Sequence, residues 1–194
     1  MFRHGLCLGV GILLFASVAM ADGDVDVVCG ERSTGLHFWE KSGSRTPCGV
    51  TLEYGPSAWP VQPAVAYYQW SDTEEGFIPF PFTTFEVRTR FEELSAGVLK
   101  TWRKASHTRP FLGVGVALVR VRLTGSEPGA ISNSDSERSV GEYAEGGFYW
   151  SLAGHLNIGL HVRTLFGASV HSLHEDANYT QLGLLLGWGW SDKN

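Results

Sequence analysis

Long hydrophobic runs are nearly absent from this 194-residue chain. One stretch, residues 5–18, is dominated by apolar residues, and no later run approaches the ~20 that a membrane helix needs. A helical membrane bundle is thereby excluded; if the chain enters a bilayer, it does so as strands. Basic charge is also scarce. Fifteen Lys and Arg stand against 20 Asp and Glu, for a net charge of −5. That balance excludes nucleic acid as a partner, because such binding needs basic patches to displace counterions. Cysteine is sparse as well, at three residues. Cys7 lies in the first apolar stretch without the residues of a lipoprotein cleavage box, which argues against a lipid-anchored mature chain. Cys29 and Cys48 are then the two that remain. No cofactor is expected.

What is present begins with an export signal. Met1-Phe2-Arg3-His4 is a short basic start, and Ala19-Met20-Ala21 matches the small-x-small site of signal peptidase. About fourteen apolar residues between them are too few to span a membrane comfortably. Residues 1–21 are therefore read as a signal peptide, cleaved before Asp22. The remaining 22–194, roughly 170 residues, suffice for one domain and one closed sheet. Glycine (24 residues) and aromatics (12 %) are plentiful, as barrel turns, crowded interiors and interfacial girdles require. The mean hydropathy of −0.04 is no objection, because alternation hides the hydrophobicity of a barrel from window averages.

The alternation is clearest in residues 179–190. Leu182, Leu184, Leu186, Trp188 and Trp190 share one face; Gln181, Gly183, Gly187 and Gly189 share the other, with Leu185 the one apolar intruder. A period of two marks a strand. Bulk on one side and small residues on the other suit a barrel wall between lipid and a narrow lumen. In 156–164, Leu156, Ile158, Leu160 and Val162 oppose Asn157, Gly159, His161 and Arg163. Before it, Ala144, Phe148, Trp150 and Leu152 oppose Tyr143, Glu145, Tyr149 and Ser151, and Gly154-His155 makes the two runs a hairpin. Leu112, Val114, Val116 and Leu118 form a further aliphatic face, which Arg120 and Arg122 continue into water. From 85 to 102, Phe85, Val87 and Phe91 alternate with Glu86, Arg88, Arg90 and Glu92. The phase flips after Glu92-Glu93, which predicts one long strand with a β-bulge. Earlier strands are expected near 35–41, 50–54 and 64–70. The total is eight, an all-β, antiparallel, up-and-down transmembrane barrel.

The segments Arg109-Pro110-Phe111-Leu112-Gly113-Val114-Gly115, Glu145-Gly146-Gly147-Phe148 and Leu184-Leu185-Leu186-Gly187-Trp188-Gly189-Trp190 resemble the small outer-membrane β-barrel family of the OmpX and OmpW type. The resemblance covers roughly 85–190. It implies a Gram-negative outer-membrane protein, exported through the periplasm, whose partners are outer-membrane lipid and lipopolysaccharide. A monomer is expected. Gln181, Gly183, Leu186 and Trp188 also resemble the signal read by the barrel-assembly machinery during biogenesis, and residues 189–194 continue past it. With the N-terminus periplasmic, extracellular loops are expected at 42–49, 71–82, 124–140 and 167–178. Short periplasmic turns are expected at 55–63, 103–109 and 154–155. Trp150, Leu182, Leu184, Leu186, Trp188 and Trp190 then face lipid or form its aromatic girdle.

Three groups carry possible chemistry. Glu86, Arg88, Arg90, Glu92, Glu93, Glu145, His161 and Arg163 are read as the lumen face, either a plug of ion pairs or a charge-lined passage. His171, Ser172, His174 and Glu175 in the last loop are either a solvated loop, a divalent-metal site or a hydrolytic set. Lipid A deacylases of small-barrel type carry such residues, but their His-x-Ser-Asn motif is absent. Cys29 and Cys48 are a disulfide candidate in an oxidising periplasm. A first strand at 35–41 would place them on opposite membrane sides, too far apart to pair, so either that strand is misplaced or the thiols stay free. The leading function is a non-enzymatic barrel serving envelope integrity, surface interaction or passage of small apolar solutes. An outer-leaflet lipid-modifying hydrolase and a narrow channel are the alternatives.

Overall fold

A computed structural model describes residues 22–34, 46–56, 59–78, 83–102, 108–126, 133–152, 155–170 and 175–190. Its strands are β1 (Asp22–Thr34), β2 (Cys48–Gly55), β3 (Gln62–Ile78), β4 (Thr83–Thr101), β5 (Thr108–Ser126), β6 (Asn133–Leu152), β7 (Leu156–Phe166), β8 (Ser169–Val170), β9 (Glu175–Asp176) and β10 (Tyr179–Trp190). Strands β1 to β7 and β10 form a closed barrel, in which β10 pairs with β7 and β1 seals against β10. Every neighbouring pair is antiparallel. Closure leaves no unpaired edge, which lets a sheet present an apolar exterior. The short β8–β9 hairpin stands apart from the barrel sheet.

Alternation places the side chains as the period of two requires. On β10, Leu182, Leu184, Leu186 and Trp188 point outward and are exposed, while Gln181, Gly183, Leu185 and Gly187 are buried within. Strands β5, β6 and β7 follow the same rule, with Leu112, Val114, Val116 and Leu118, then Val140, Trp150 and Leu152, then Ile158 and Val162 outward. At the lower rim, where residues 22 and 190 lie, Tyr54, Trp59, Trp102, Trp150 and Trp188 are exposed. Such a ring of aromatics suits a membrane interface.

The first strand differs from the sequence expectation. Residues 35–41 lie outside the described residues, as does the expected signal peptide at 1–21, and the strand beside β2 is Asp22–Thr34. Its Val25 and Val27 alternate with Asp24 and Asp26, and both aspartates are buried in the lumen. The shift removes the topological objection to a disulfide. Cys29 faces Cys48 in the register, and the two are bonded, with Cα atoms 4.2 Å apart. Cross-linking positions 19 residues apart restricts the unfolded chain by about 3 kcal/mol. Replacing both cysteines by Ser should lower the urea midpoint of the vesicle-embedded protein accordingly; an unchanged midpoint would refute the contribution.

Two further expectations are corrected. Strand β4 is long, as expected, but it carries no bulge at Glu92-Glu93. Its pairing runs one-to-one on both sides, with Glu92↔Gln69 and Glu93↔Tyr68 on one flank and Glu92↔Arg120 and Glu93↔Val119 on the other. The phase of the strand never changes. Its outward row instead passes from Leu94, Ala96 and Val98 to Glu92, Arg90 and Arg88, while Phe91, Glu93 and Ser95 stay buried inside. The expected loops at 71–82 and 124–140 are likewise mostly strand. Pairing between β3 and β4 continues to Ile78↔Thr83, and between β5 and β6 to Gly125↔Asn133. The two hairpins rise beyond the apolar band because ladder hydrogen bonds satisfy the backbone whatever the side chains face.

Interior glycines make room for large neighbours. A Cβ at Gly49 would meet the Tyr68 ring, one at Gly115 the Tyr143 ring, and one at Gly187 the Asp26 carboxylate. Rings and carboxylates from adjacent strands thus lie across glycine backbone, which fills a lumen too narrow for bulk on every strand.

Candidate functional site

The lumen is filled in layers. Val28, Tyr68, Leu99, Phe111, Tyr149 and Leu185 form a lower apolar cluster. Phe91, Val119, Val121, Leu165 and Tyr179 form an upper one. A charged group joins the two. Arg163 on β7 is fully buried and donates to Glu93 on β4 at 2.6 Å and to Glu145 on β6 at 2.7 Å. Its Nε donates to the Tyr179 hydroxyl at 3.1 Å, which in turn donates to the second Glu93 oxygen at 2.6 Å. His161 Nε2 donates to Glu145 at 3.2 Å. The guanidinium also lies 3.7 Å from the Tyr143 ring centroid. Both carboxylates therefore share one cation, with a hydroxyl and an imidazole completing the hydrogen bonds. Buried charge persists only under such pairing.

Below this centre, the Tyr149 hydroxyl donates to Glu53 at 2.6 Å, with Asp26 3.3 Å away. Asn157 donates to Asp24 at 2.8 Å and accepts from Ser151, to which Arg109 donates. Above it, Arg32 on β1 donates to Gln181 at 2.8 Å. Its guanidinium sits 3.5 Å from the Tyr179 ring centroid and 4.0 Å from that of Trp70. The segment carrying β8 and β9 folds inward over this layer. Ala168, Val170 and Ala177 are buried in the upper cluster, and the Ser169 amide donates to Ser139 on β6 at 2.9 Å.

Of the residues read as lumen-facing, the structure brings together Glu93, Glu145, His161 and Arg163. Arg88, Arg90 and Glu92 lie on the outward face instead, because β4 keeps one phase through Glu92-Glu93. Glu86 is paired with Ser126 in the β4–β5 register, and its side chain lies outside the described ones. His171, Ser172 and His174 lie outside the described residues. Glu175 pairs with Val170 in the β8–β9 hairpin, its side chain likewise not described. Trp150, Leu182, Leu184, Leu186 and Trp188 are exposed outward, and Trp190 is half-buried against Gly23. Sequence reasoning missed Arg32, Asp24, Asp26 and Glu53. The available signal is parity for Asp24, Asp26 and Glu53, which alternate with outward Val25, Val27 and Leu52; Arg32, between Glu31 and Ser33, has no such signal.

These features define a closed β-barrel with an apolar, girdled exterior and a filled, charged interior. No family model and no curated protein matches the sequence. Solved structures do. A major outer membrane protein from Thermus thermophilus superposes with a TM-score of 0.60 at 13 % identity, covering 87 % of this chain and 99 % of its own. The outer membrane protein OprG of Pseudomonas aeruginosa gives 0.53 at 13 %, covering 90 % and 98 %. Ail, the attachment invasion locus protein of Yersinia pestis, gives 0.53 at 11 %, covering 88 % and 99 %. The fold is that of the small eight-stranded outer-membrane barrels.

Proposed function

We propose that this chain is an integral barrel of the bacterial outer membrane that works without catalysis, serving envelope integrity and interaction at the cell surface. It is exported by the leader at 1–21 and inserted by the barrel-assembly machinery through Gln181, Gly183, Leu186 and Trp188. The lower rim faces the periplasm, and the β3–β4 and β5–β6 hairpins rise outside. One observation carries the reading: Arg163, buried between Glu93 and Glu145, bridges β4, β6 and β7 across the lumen. Ion pairs in that position act as a plug, since an eight-stranded interior has no width left beside them.

The test has two parts. The folded protein should migrate differently on a gel before and after boiling, and should leave a planar bilayer electrically silent once insertion is verified. Stepwise conductance from the inserted barrel would overturn the plug and favour a charge-lined channel.

A further inference from the structure

The outward faces of β4, β5 and β6 change character within one step along the strands. Leu94, Leu118 and Val140 lie side by side in the register and are exposed, apolar and lipid-facing. The next outward residues up are Glu92, Arg120 and Arg138, again side by side. One step higher, Arg90 stands directly opposite Arg122, and beyond it Arg88 faces Thr124. With rows ~7 Å apart and strands ~5 Å apart, five guanidiniums occupy one patch immediately above the apolar band. Glu92 pairs with Arg90 at 2.9 Å and lies 4.0 Å from Arg120. Among the described side chains, the other carboxylate on the outward face of these strands is Glu142, two steps below Arg138.

The arrangement is unfavourable as it stands. Two arginine pairs, Arg90–Arg122 and Arg120–Arg138, are direct cross-strand neighbours, and like charges so placed repel. The chain as a whole is acidic, at −5, so a third of its fifteen basic residues gather here against the trend. Guanidinium forks match phosphate oxygens in paired hydrogen bonds. The patch faces away from the lumen, at the level where lipid tails give way to headgroups. We propose that Arg88, Arg90, Arg120, Arg122 and Arg138 bind the phosphates of a phosphorylated glycolipid in the outer leaflet. This rests on the orientation given above, with the β4–β6 extension outside the cell.

The full chain, folded into phosphatidylcholine vesicles with either lipopolysaccharide or its dephosphorylated form, tests this directly. After extraction in mild detergent, native mass spectrometry counts the glycolipid retained per protein. The wild type should hold the phosphorylated form at least about tenfold better, and the quadruple variant Arg90→Gln, Arg120→Gln, Arg122→Gln, Arg138→Gln should lose that preference while keeping its folded band. If the quadruple variant does not fold, Arg90→Gln and Arg138→Gln singly should each weaken retention. Equal retention of both glycolipids, or unchanged retention by folded variants, overturns the proposal. So does complete displacement by millimolar inorganic phosphate, which would assign the patch to a soluble anion. A wild-type chain with no heat-modifiable band defeats the barrel reading itself; a folded wild type without preference defeats only the glycolipid site.

Discussion

Replacing Arg163 by Met is expected to lower the unfolding free energy by about 3–5 kcal/mol, the cost of leaving buried carboxylates without their cation. Arg163, Glu93 and Glu145 are almost completely excluded from solvent, with side-chain exposures of 0 %, 0 % and 2 %. Glu93 would retain the Tyr179 hydroxyl and Glu145 the His161 ring, but neither bond neutralises a second carboxylate. Tryptophan fluorescence during urea unfolding in vesicles reads the loss. The triple variant Arg163→Met, Glu93→Gln, Glu145→Gln should recover much of it, because the buried charges are then removed together. A single variant as stable as the wild type would mean that the three strands are held by the apolar clusters alone. A triple variant no better than the single one would place the loss in packing around the Arg163 stem.

The part of this centre visible in the sequence was the part flanked by lipid. His161 and Arg163 alternate with Leu160 and Val162, and Glu145 alternates with Ala144 and Phe148, so parity assigns them inward without ambiguity. Arg32 is equally interior, yet its outward neighbours Glu31 and Ser33 are polar or short and give no such contrast; Glu53, between outward Leu52 and Tyr54, does carry the parity signal. Strand β1 is hidden for a related reason: Val25 and Val27 are the only aliphatic residues on its outward row, which continues into Glu31 and Ser33, too short a run to mark a membrane-spanning strand. Strand β4 failed in the opposite sense. Alternation of apolar and polar identifies the inner face only within the membrane. Above it, Arg90 and Glu92 point outward past the apolar band while Phe91 points inward, and the apolar face becomes the inner one. The strand keeps its phase while the solvent on its outer side changes, and from sequence the two situations look like a bulge. Pairing partners, which no single strand encodes, decide between them.

The exterior assignment carries the second large effect. Leu184→Arg is expected to destabilise the vesicle-embedded barrel by about 2–4 kcal/mol, the cost of a charge near the bilayer midplane. Leu184 is 64 % exposed and lies between Leu182 and Leu186 on the outward row that Trp188 follows toward the lower rim. It is paired with Leu160 on one side and Cys29 on the other, so no acidic residue stands directly opposite; Glu31 faces Leu182 one step above. Thr180→Arg on the same strand provides the contrast. Thr180 also faces outward, but at the upper end of β10, where an arginine should cost only about 0–1 kcal/mol. The measurement is the urea midpoint of each variant in vesicles, repeated in detergent micelles, where the difference should shrink. Equal costs at both positions would mean that the row from Leu182 to Trp188 does not contact lipid, and the orientation of the whole barrel wall would have to be abandoned.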